Sequence, residues 1–239
     1  MLPVMGNPAV VEESARFFRR IFSWHQFRRF KQYLTGLITG GNPSVRSIAR
    51  RQVEPVDQSS LNRFLTLYRW DEDRLNRRRL EILQSKRETR WRWDGVVAID
   101  DTLLPKTGRK MPGAGKLYDH SSGSYVHAQS LVTSHYVDED KDYPLGFRQY
   151  FKHGSREAER YGFRRKLDLA MELVDECEGL GVAAENYVFD SWYLTQEVAE
   201  HIEGYGKGWV SRLKSNRVVY HGKRRMSISQ LREALPRDA

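Results

Sequence analysis

Cysteine is almost absent from this chain, with Cys177 as the single one among 239 residues. One cysteine excludes an internal disulfide framework and a cysteine-rich zinc site. No apolar run approaches the ~18 residues of a membrane helix, and no lysine-rich start precedes an apolar stretch as in a signal peptide. With 30% charged residues and a mean hydropathy of −0.68, the sequence predicts a soluble, cytoplasmic protein with no membrane partner and no small-molecule cofactor.

Acidic residues are scarce in one part of the chain only. Residues 1–93 contain 19 Lys and Arg against 9 Asp and Glu, whereas residues 94–239 contain 21 against 22. This asymmetry predicts two domains, a basic helical DNA-binding segment over 1–93 and a second domain over 94–239 with another role. A solvated, arginine-rich helical surface is the alternative interpretation of the same charge.

The first 93 residues carry helical periodicity. Apolar residues recur at about 3.6-residue spacing between Val11 and Leu37. Ser44 then precedes a short basic helix, Ser59 or Ser60 can cap the next one, and residues 71–73 are acids suited to the start of another. The basic helix, turn and capped helix resemble a helix-turn-helix, although small helical bundles give the same pattern. In that arrangement the contacts to DNA would come from Arg46, Arg50 and Arg51.

After Trp93 the pattern changes to strands. Apolar and alternating runs predict strands at about 95–101, 125–137, 143–151, 186–190 and 208–213, helices at 156–178 and 194–203, and a loop over 105–124. The order β-β-β-α-β-α-β predicts an α/β fold with a mixed sheet. It is also the order of the ribonuclease-H-like fold, in which the first strand is central and the fourth lies beside it.

Two of these strands end in aspartates. Asp100 and Asp101 follow the run Val96–Ile99, and Asp190 follows Tyr187–Phe189. A carboxylate at the end of a buried strand is costly unless something pairs with it. On neighbouring strands, these aspartates could hold the divalent metal that phosphoryl transfer uses. Side chains alternate along a strand, so Asp100 and Asp101 cannot both face the metal. We favour Asp100, because Asp100-Asp101-Thr102 resembles the D-x-T/S pattern of ribonuclease-H-like strands. The alternative is that each aspartate caps a turn.

The motifs Ala98-Ile99-Asp100-Asp101-Thr102, Pro105-Lys106-Thr107-Gly108 and Phe189-Asp190-Ser191-Trp192-Tyr193 resemble the catalytic domain of bacterial DDE transposases, in particular the IS4 and IS701 insertion-sequence group. The resemblance covers about residues 44–220. It implies a helical segment that binds double-stranded DNA (transposon ends and target), a ribonuclease-H-like domain that cuts and joins strands with Mg²⁺ or Mn²⁺, and synaptic homodimers. Its catalytic acids map to Asp100 or Asp101 and to Asp190, with Asp100 and Asp190 as the metal ligands.

Basic residues near this domain's predicted loops are candidates for DNA contacts. Gly113-Ala114-Gly115-Lys116 lacks the spacing of a nucleotide-binding phosphate loop, so a flexible DNA-contacting loop is the better interpretation. Its predicted phosphate contacts are Lys106, Arg109, Lys110 and Lys116. The resemblance adds Arg212 and Lys214 in Val210-Ser211-Arg212-Leu213-Lys214, which resembles the family's fifth strand with its basic residues.

The resemblance also implies a third acid that the sequence does not supply. In the family a glutamate follows the fifth strand in a Tyr-x-x-Arg-x-x-x-Glu setting, whereas the acids after Arg212 are Glu233 and Asp238 without that setting. A C-terminally incomplete fold is therefore expected: a truncated transposase, a fragment or half of a split frame. Two other functions stay open, a catalytically inactive remnant that only binds DNA and an unrelated metal nuclease of the same fold.

Overall fold

The computed structural model describes residues 6–52, 56–108, 111–214 and 217–234. The chain forms two compact units, Met1–Arg90 and Trp91–Ala239. The first is helical and the second is built on a mixed β-sheet, as the sequence predicts.

The N-terminal unit contains short helices around two small apolar clusters. One cluster is built on the buried Ala15, Phe22, Phe30 and Phe64, and the other on Ile48, Val56 and Leu61. The helices are α1 (Ala9–Ala15), α2 (Trp24–Ile38), α3 (Val45–Arg51), α4 (Gln58–Thr66) and α5 (Glu72–Gln84), with a 3₁₀ segment at Arg16–Ile21 between α1 and α2.

Polar side chains cap helices α2 to α5 at their N-termini. Ser44 accepts a hydrogen bond from the Ser47 amide, and Asp71 accepts one from the Arg74 amide at 2.8 Å. The cap of α4 is Asp57, which accepts from the Ser59 amide at 3.2 Å. The expectation that Ser59 or Ser60 caps this helix is therefore wrong, because the helix begins earlier and a carboxylate satisfies its free amide.

The second unit contains the sheet and the helices that cover it. Its elements are β1 (Gly95–Pro105), β2 (Gly115–Asp119), β3 (Ser124–Val137), β4 (Asp142–Tyr150), α6 (Arg156–Tyr161), α7 (Lys166–Gly179), β5 (Ala184–Phe189), α8 (Gln196–Glu203), β6 (Gly208–Ser211), β7 (Val218–His221), β8 (Arg224–Ser227) and α9 (Ile228–Ala234). Strands β7 and β8 form a separate antiparallel hairpin.

The first strand is central in the sheet. β1 pairs antiparallel with β3 on one side and parallel with β5 on the other. β4 extends the sheet beyond β3, and β6 runs parallel to β5 at the opposite edge. Apart from the short β2, this is the predicted mixed sheet with the order of the ribonuclease-H-like fold. Helix α7 packs on β3 and β4 and buries Leu169, Leu173 and Cys177.

Several predicted bounds in this unit are wrong. The first strand, expected over 95–101, continues to Pro105. The helix expected over 156–178 is two helices, because Gly162 adopts φ +84 and ends α6 in a conformation that favours glycine. The region 105–124, expected to be a loop, contains β2, which pairs with the start of β3. The last sheet strand ends at Ser211 instead of residue 213.

Among the described residues, no helix combines the length and the apolar character needed to cross a membrane.

Candidate functional site

The site lies where β5 ends beside the middle of β1, at the point where the parallel pairing of the two strands stops. Ile99 of β1 pairs with Phe189 of β5, so Asp100 and Asp190, each the next residue, lie at the same level on neighbouring strands. Ser211, the last residue of β6, also pairs with Phe189, so Arg212 follows at this level too. The topology therefore brings Asp100 and Asp190 together, as their positions after apolar runs predict.

Asp101 faces the other side of the sheet from Asp100. It lies on the same face as Val97 and Ile99, which are both buried. Its carboxylate accepts a hydrogen bond from Lys166 Nζ at 2.5 Å and a longer one from the Tyr193 hydroxyl at 3.4 Å. Lys166 is the first residue of α7, so this ion pair joins that helix to β1. Asp101 already has cationic and hydroxyl partners, whereas Asp100, on the opposite face, interacts with the charge of Asp190.

The segment after β5 orients Asp190. One carboxylate oxygen, Oδ1, accepts hydrogen bonds from the amides of Trp192 at 2.8 Å and Tyr193 at 3.3 Å. The turn-capping alternative is therefore present in the structure for this oxygen. Among the described residues, the other oxygen, Oδ2, accepts no hydrogen bond. Asp190 can thus cap the turn through Oδ1 and still offer Oδ2 to a ligand, because a carboxylate has two oxygens.

The electrostatics of this pair favour a cation. Desolvation by the surrounding protein raises the pKa of the Asp100 carboxyl, and the negative charges of Asp101 and Asp190 raise it further. The Asp101 amide, which donates to Asp100 Oδ1 at 2.8 Å, and the charge of Lys166 act in the opposite direction. Two like charges at one site are stabilised by a bound cation or by a proton.

The buried Tyr193 contacts Asp101 at this site. Its side chain is 1% exposed, and burial together with the charges of Asp101 and Asp100 raises the pKa of its hydroxyl far above the ordinary value. It therefore stays a proton donor to Asp101. Neighbouring Trp192 is exposed, with the Lys166 Nζ 5.8 Å from its ring centroid.

Within the described parts of the chain, no group of three or more His, Cys, Asp or Glu is placed to hold a metal ion. The site built by these residues therefore offers two carboxylates, Asp100 and Asp190. Magnesium commonly takes one or two protein carboxylates and completes its shell with water and substrate phosphate. Asp100 and Asp190 match the one or two protein carboxylates that such an ion takes.

The predicted basic contacts of this unit occupy different positions. Lys116 lies on β2 with its Nζ 4.8 Å from the Tyr125 ring centroid, and the Lys106 amide donates to the His127 carbonyl at 2.8 Å. Arg212 and Lys214 are exposed after β6. Arg109 and Lys110 lie outside the described residues. The roles of all six in DNA binding stay predictions.

The three predicted arginines of α3 differ from one another. Arg46 and Arg50 are exposed, whereas Arg51 is 8% exposed. Its guanidinium donates to the carbonyls of Gly36 at 3.0 Å, Asn42 at 3.2 Å and Ser47 at 3.3 Å. Arg51 therefore ties α3 to the end of α2, and it is not available as a phosphate contact in this conformation.

A family model described as "DDE superfamily endonuclease" matches residues 17–235. The chain belongs to the DDE superfamily of endonucleases. The match includes residues of both units, among them Asp100 on β1 and Asp190 directly after β5. A search of curated proteins gave no match.

Solved structures give weaker likenesses. The Drosophila P element transposase strand transfer complex has a TM-score of 0.36 at 14% identity, over 83% of this chain and 42% of that one. A pre-cleavage Mos1 transpososome has a TM-score of 0.23 at 13% identity, over 78% and 58%. A Mos1 mariner paired end complex with Mn has 0.23 at 13%, over 84% and 67%. The chain thus spans about half the length of the first two.

Two residues that support this site were not expected from the sequence, namely Lys166 and Arg217, and a third, Tyr193, was visible only as part of the motif that contains Asp190. Lys166 and Tyr193 hold Asp101, and Arg217 donates to the Ser191 carbonyl at 3.0 Å, which ties the segment after β6 to the loop after Asp190. Each lies far from its partner in sequence. The local signal for Lys166 is a lysine at the start of a helix, and such lysines are too common to identify an ion pair with Asp101.

Proposed function

We propose that this chain is a DDE-type DNA transposase of the IS4 and IS701 insertion-sequence group, which cleaves DNA strands at the ends of the element and transfers them to a target. The observation that carries the proposal is the position of Asp100 and Asp190 at one level on adjacent parallel strands. Family membership supports endonuclease chemistry, and the motifs after these strands support the subgroup.

We assign Asp100 and Asp190 as ligands of Mg²⁺ or Mn²⁺. Carboxylate oxygens suit these hard cations. Burial and then the charges of Asp101 and Asp190 raise the pKa of Asp100, and a bound cation would offset the charge of Asp190. When bound, the metal would activate the attacking oxygen and stabilise the leaving one. Asp100 and Asp190 supply the negative charge that retains the ion at the end of the strands.

Asp101 has a positioning role in this proposal. Lys166 and Tyr193 hold its carboxylate on the face away from Asp100. Because neighbouring side chains of a strand point to opposite faces, this also fixes the face to which Asp100 points. Asp101 was a candidate catalytic residue in the sequence, and the contacts favour Asp100 for that role.

The proposed partner is double-stranded DNA, both element ends and target. In the second unit we propose phosphate contacts by the half-buried Lys106 and by the exposed Lys116, Arg212 and Lys214, with Arg109 and Lys110 as further candidates. We also propose the division of labour predicted from charge, with DNA binding in 1–93 and catalysis in 94–239. A homodimer is part of the proposal, since the resemblance implies a synaptic pair.

A second candidate function is DNA binding without cleavage. It is favoured by one observation, namely that the described residues contain no group of three or more His, Cys, Asp or Glu placed to hold a metal ion. Truncation before that acid stays a prediction. This candidate shares the partner with the first and differs from it in having no metal-dependent reaction.

Nicking of supercoiled plasmid by the full chain with Mg²⁺ or Mn²⁺ separates these functions. We expect nicking that falls by at least about 100-fold in Asp190→Asn, since a lost ligand should cost at least as much as the 10–100-fold typical of groups that only support ligands. The matched control is Asp142→Asn, whose carboxylate is exposed at the opposite end of the sheet. Equal nicking by wild type and Asp190→Asn would refute the site, and DNA binding without any nicking would establish the second function.

A further inference from the structure

An arginine-rich groove runs across the N-terminal unit between the 3₁₀ segment Arg16–Ile21 and helix α5. It encloses about 880 Å³. Each wall contributes three arginines, and the six are Arg16, Arg19, Arg20, Arg74, Arg77 and Arg78. This surface, which we call the arginine groove, is separate from the α3 arginines that the sequence singles out.

Two of the six arginines fix the walls of the groove. Arg78 donates through Nε to the Phe17 carbonyl at 3.3 Å, which links α5 to the 3₁₀ segment. It also pairs with Glu81 at 2.8 Å. Arg19 donates to the Phe22 carbonyl at 2.9 Å. The groove is therefore preorganised by its own side chains, which lowers the entropic cost of binding a ligand.

The other charges of the groove are not balanced within the unit. Arg20, Arg74 and Arg77 are exposed, and their side chains form no hydrogen bond or ion pair to any described residue. Three acids also line the groove, namely Asp71, Asp73 and Glu81. Asp71 is occupied as the cap of α5 and Glu81 by Arg78. Six guanidinium groups against three carboxylates leave an excess of positive charge that attracts an anion.

The chemistry of the groove favours duplex phosphate over other anions. Guanidinium groups are planar forks that match phosphate oxygens, and all six basic residues here are arginine. Single-stranded nucleic acid is bound through stacking on several aromatic rings. The groove offers one ring, Phe17, and Arg16 already lies over it at 5.1 Å. A lining without stacking platforms suits the continuous backbone of a double helix.

We propose that the arginine groove binds the phosphate backbone of double-stranded DNA, with Arg20, Arg74 and Arg77 as the contacts. This inference rests on the proposed function, since it names the surface through which the N-terminal unit holds DNA. It differs from the helix-turn-helix prediction, in which the contacts come from Arg46 and Arg50 of α3.

The test measures binding of the full chain to a mixed-sequence duplex of about 25 base pairs by fluorescence anisotropy over a series of KCl concentrations. Each lost phosphate contact lowers the slope of log K against log salt by about 0.9. The triple variant Arg20→Gln/Arg74→Gln/Arg77→Gln should therefore lose about 2.7 from the slope and weaken binding at least about tenfold at 0.1 M salt. The replacement Arg→Lys at the same three positions should retain most of the slope, since it keeps the charge.

The matched control is Lys86→Gln/Arg87→Gln/Arg90→Gln. It removes the same charge from exposed residues of the same unit that lie outside the groove. A control that binds like wild type, beside a weakened groove variant, supports the proposal. Circular dichroism checks that both triple variants are folded.

Four outcomes would overturn the proposal. If the groove variant binds like wild type, or if Arg46→Gln/Arg50→Gln alone removes the salt dependence, the groove is wrong and DNA binding itself stands. If the duplex is outcompeted by a single strand of equal length, the choice of backbone geometry is wrong. If the wild-type chain binds no DNA, the proposed function fails together with this inference.

Discussion

Replacing Lys166 tests whether Asp101 is held as a structural partner while Asp100 binds metal. The Lys166 and Asp101 side chains are 21% and 27% exposed, so the pair lies between a surface pair worth ~0.2–1 kcal/mol and a buried one whose disruption costs about 3–5 kcal/mol. We therefore expect Lys166→Met to lower the free energy of unfolding by about 2 kcal/mol. Methionine keeps the packing of the lysine stem and leaves the Asp101 carboxylate without its cation.

The double variant decides the interpretation. In Lys166→Met/Asp101→Asn the unpaired charge is gone, so we expect the unfolding free energy to recover by at least about 1 kcal/mol relative to Lys166→Met. Urea unfolding followed by circular dichroism measures all four proteins of the cycle. Effects that add to within about 0.5 kcal/mol would show that the two residues do not interact, and would refute the assignment of Asp101.

Three further predictions concern stability and reactivity. Burial would raise the pKa of Asp138, but hydrogen bonds from Lys141, the Asp140 amide and Tyr136 lower it to about 2. A carboxyl with a lowered pKa stabilises the fold at pH values above its unfolded pKa of about 3.9. Asp138→Asn should therefore lower the free energy of unfolding in urea by about 2 kcal/mol at pH 7, and this loss should vanish as the pH falls towards 2. Arg51→Met should lower stability by about 2–3 kcal/mol, since buried carbonyls lose a charged donor, and a loss below about 0.5 kcal/mol in thermal unfolding would contradict the contacts described. Burial raises the pKa of the Cys177 thiol to about 12, so an alkylating reagent should modify it only after denaturant is added, and mass spectrometry showing modification of the native protein would be the contrary result.

The sequence was sufficient for the order of the five strands that it predicted and for the neighbouring positions of Asp100 and Asp190, although it missed β2, β7 and β8. Apolar β-branched runs at Val96–Ile99 and Tyr187–Phe189 identify buried strands whatever their partners, because burial on both faces removes the alternation. The order of elements then constrains the sheet, and the two strands are neighbours as predicted. The acidic start of α5 was equally visible, since its cap and first turn are local.

The choice between Asp100 and Asp101 needed the register and long-range contacts. Alternation shows that the two residues point to opposite faces, but it does not say which face α7 covers. That face is known from the ion pair of Asp101 with Lys166, 65 residues away. Partners so distant leave no periodic pattern in one sequence.

Arg51 and Gly162 show the same limit in other forms. In sequence Arg51 is one of three basic residues on a short helix, and only the fold shows that its side chain lies against the end of α2. Gly162 lies inside a run that is otherwise periodic, where a glycine is tolerated in a helix at about 1 kcal/mol. Its positive φ comes from the path of the chain between α6 and α7.

Binding of Mn²⁺, measured by isothermal titration calorimetry on the full chain, tests the central claim most directly, because it does not depend on DNA or on cleavage. The account predicts that Asp100→Asn and Asp190→Asn each weaken binding by at least about tenfold, whereas Asp101→Asn stays within about threefold of wild type, since its carboxylate faces Lys166. Binding that is unchanged in Asp100→Asn and Asp190→Asn, or that is lost in Asp101→Asn alone, would contradict it.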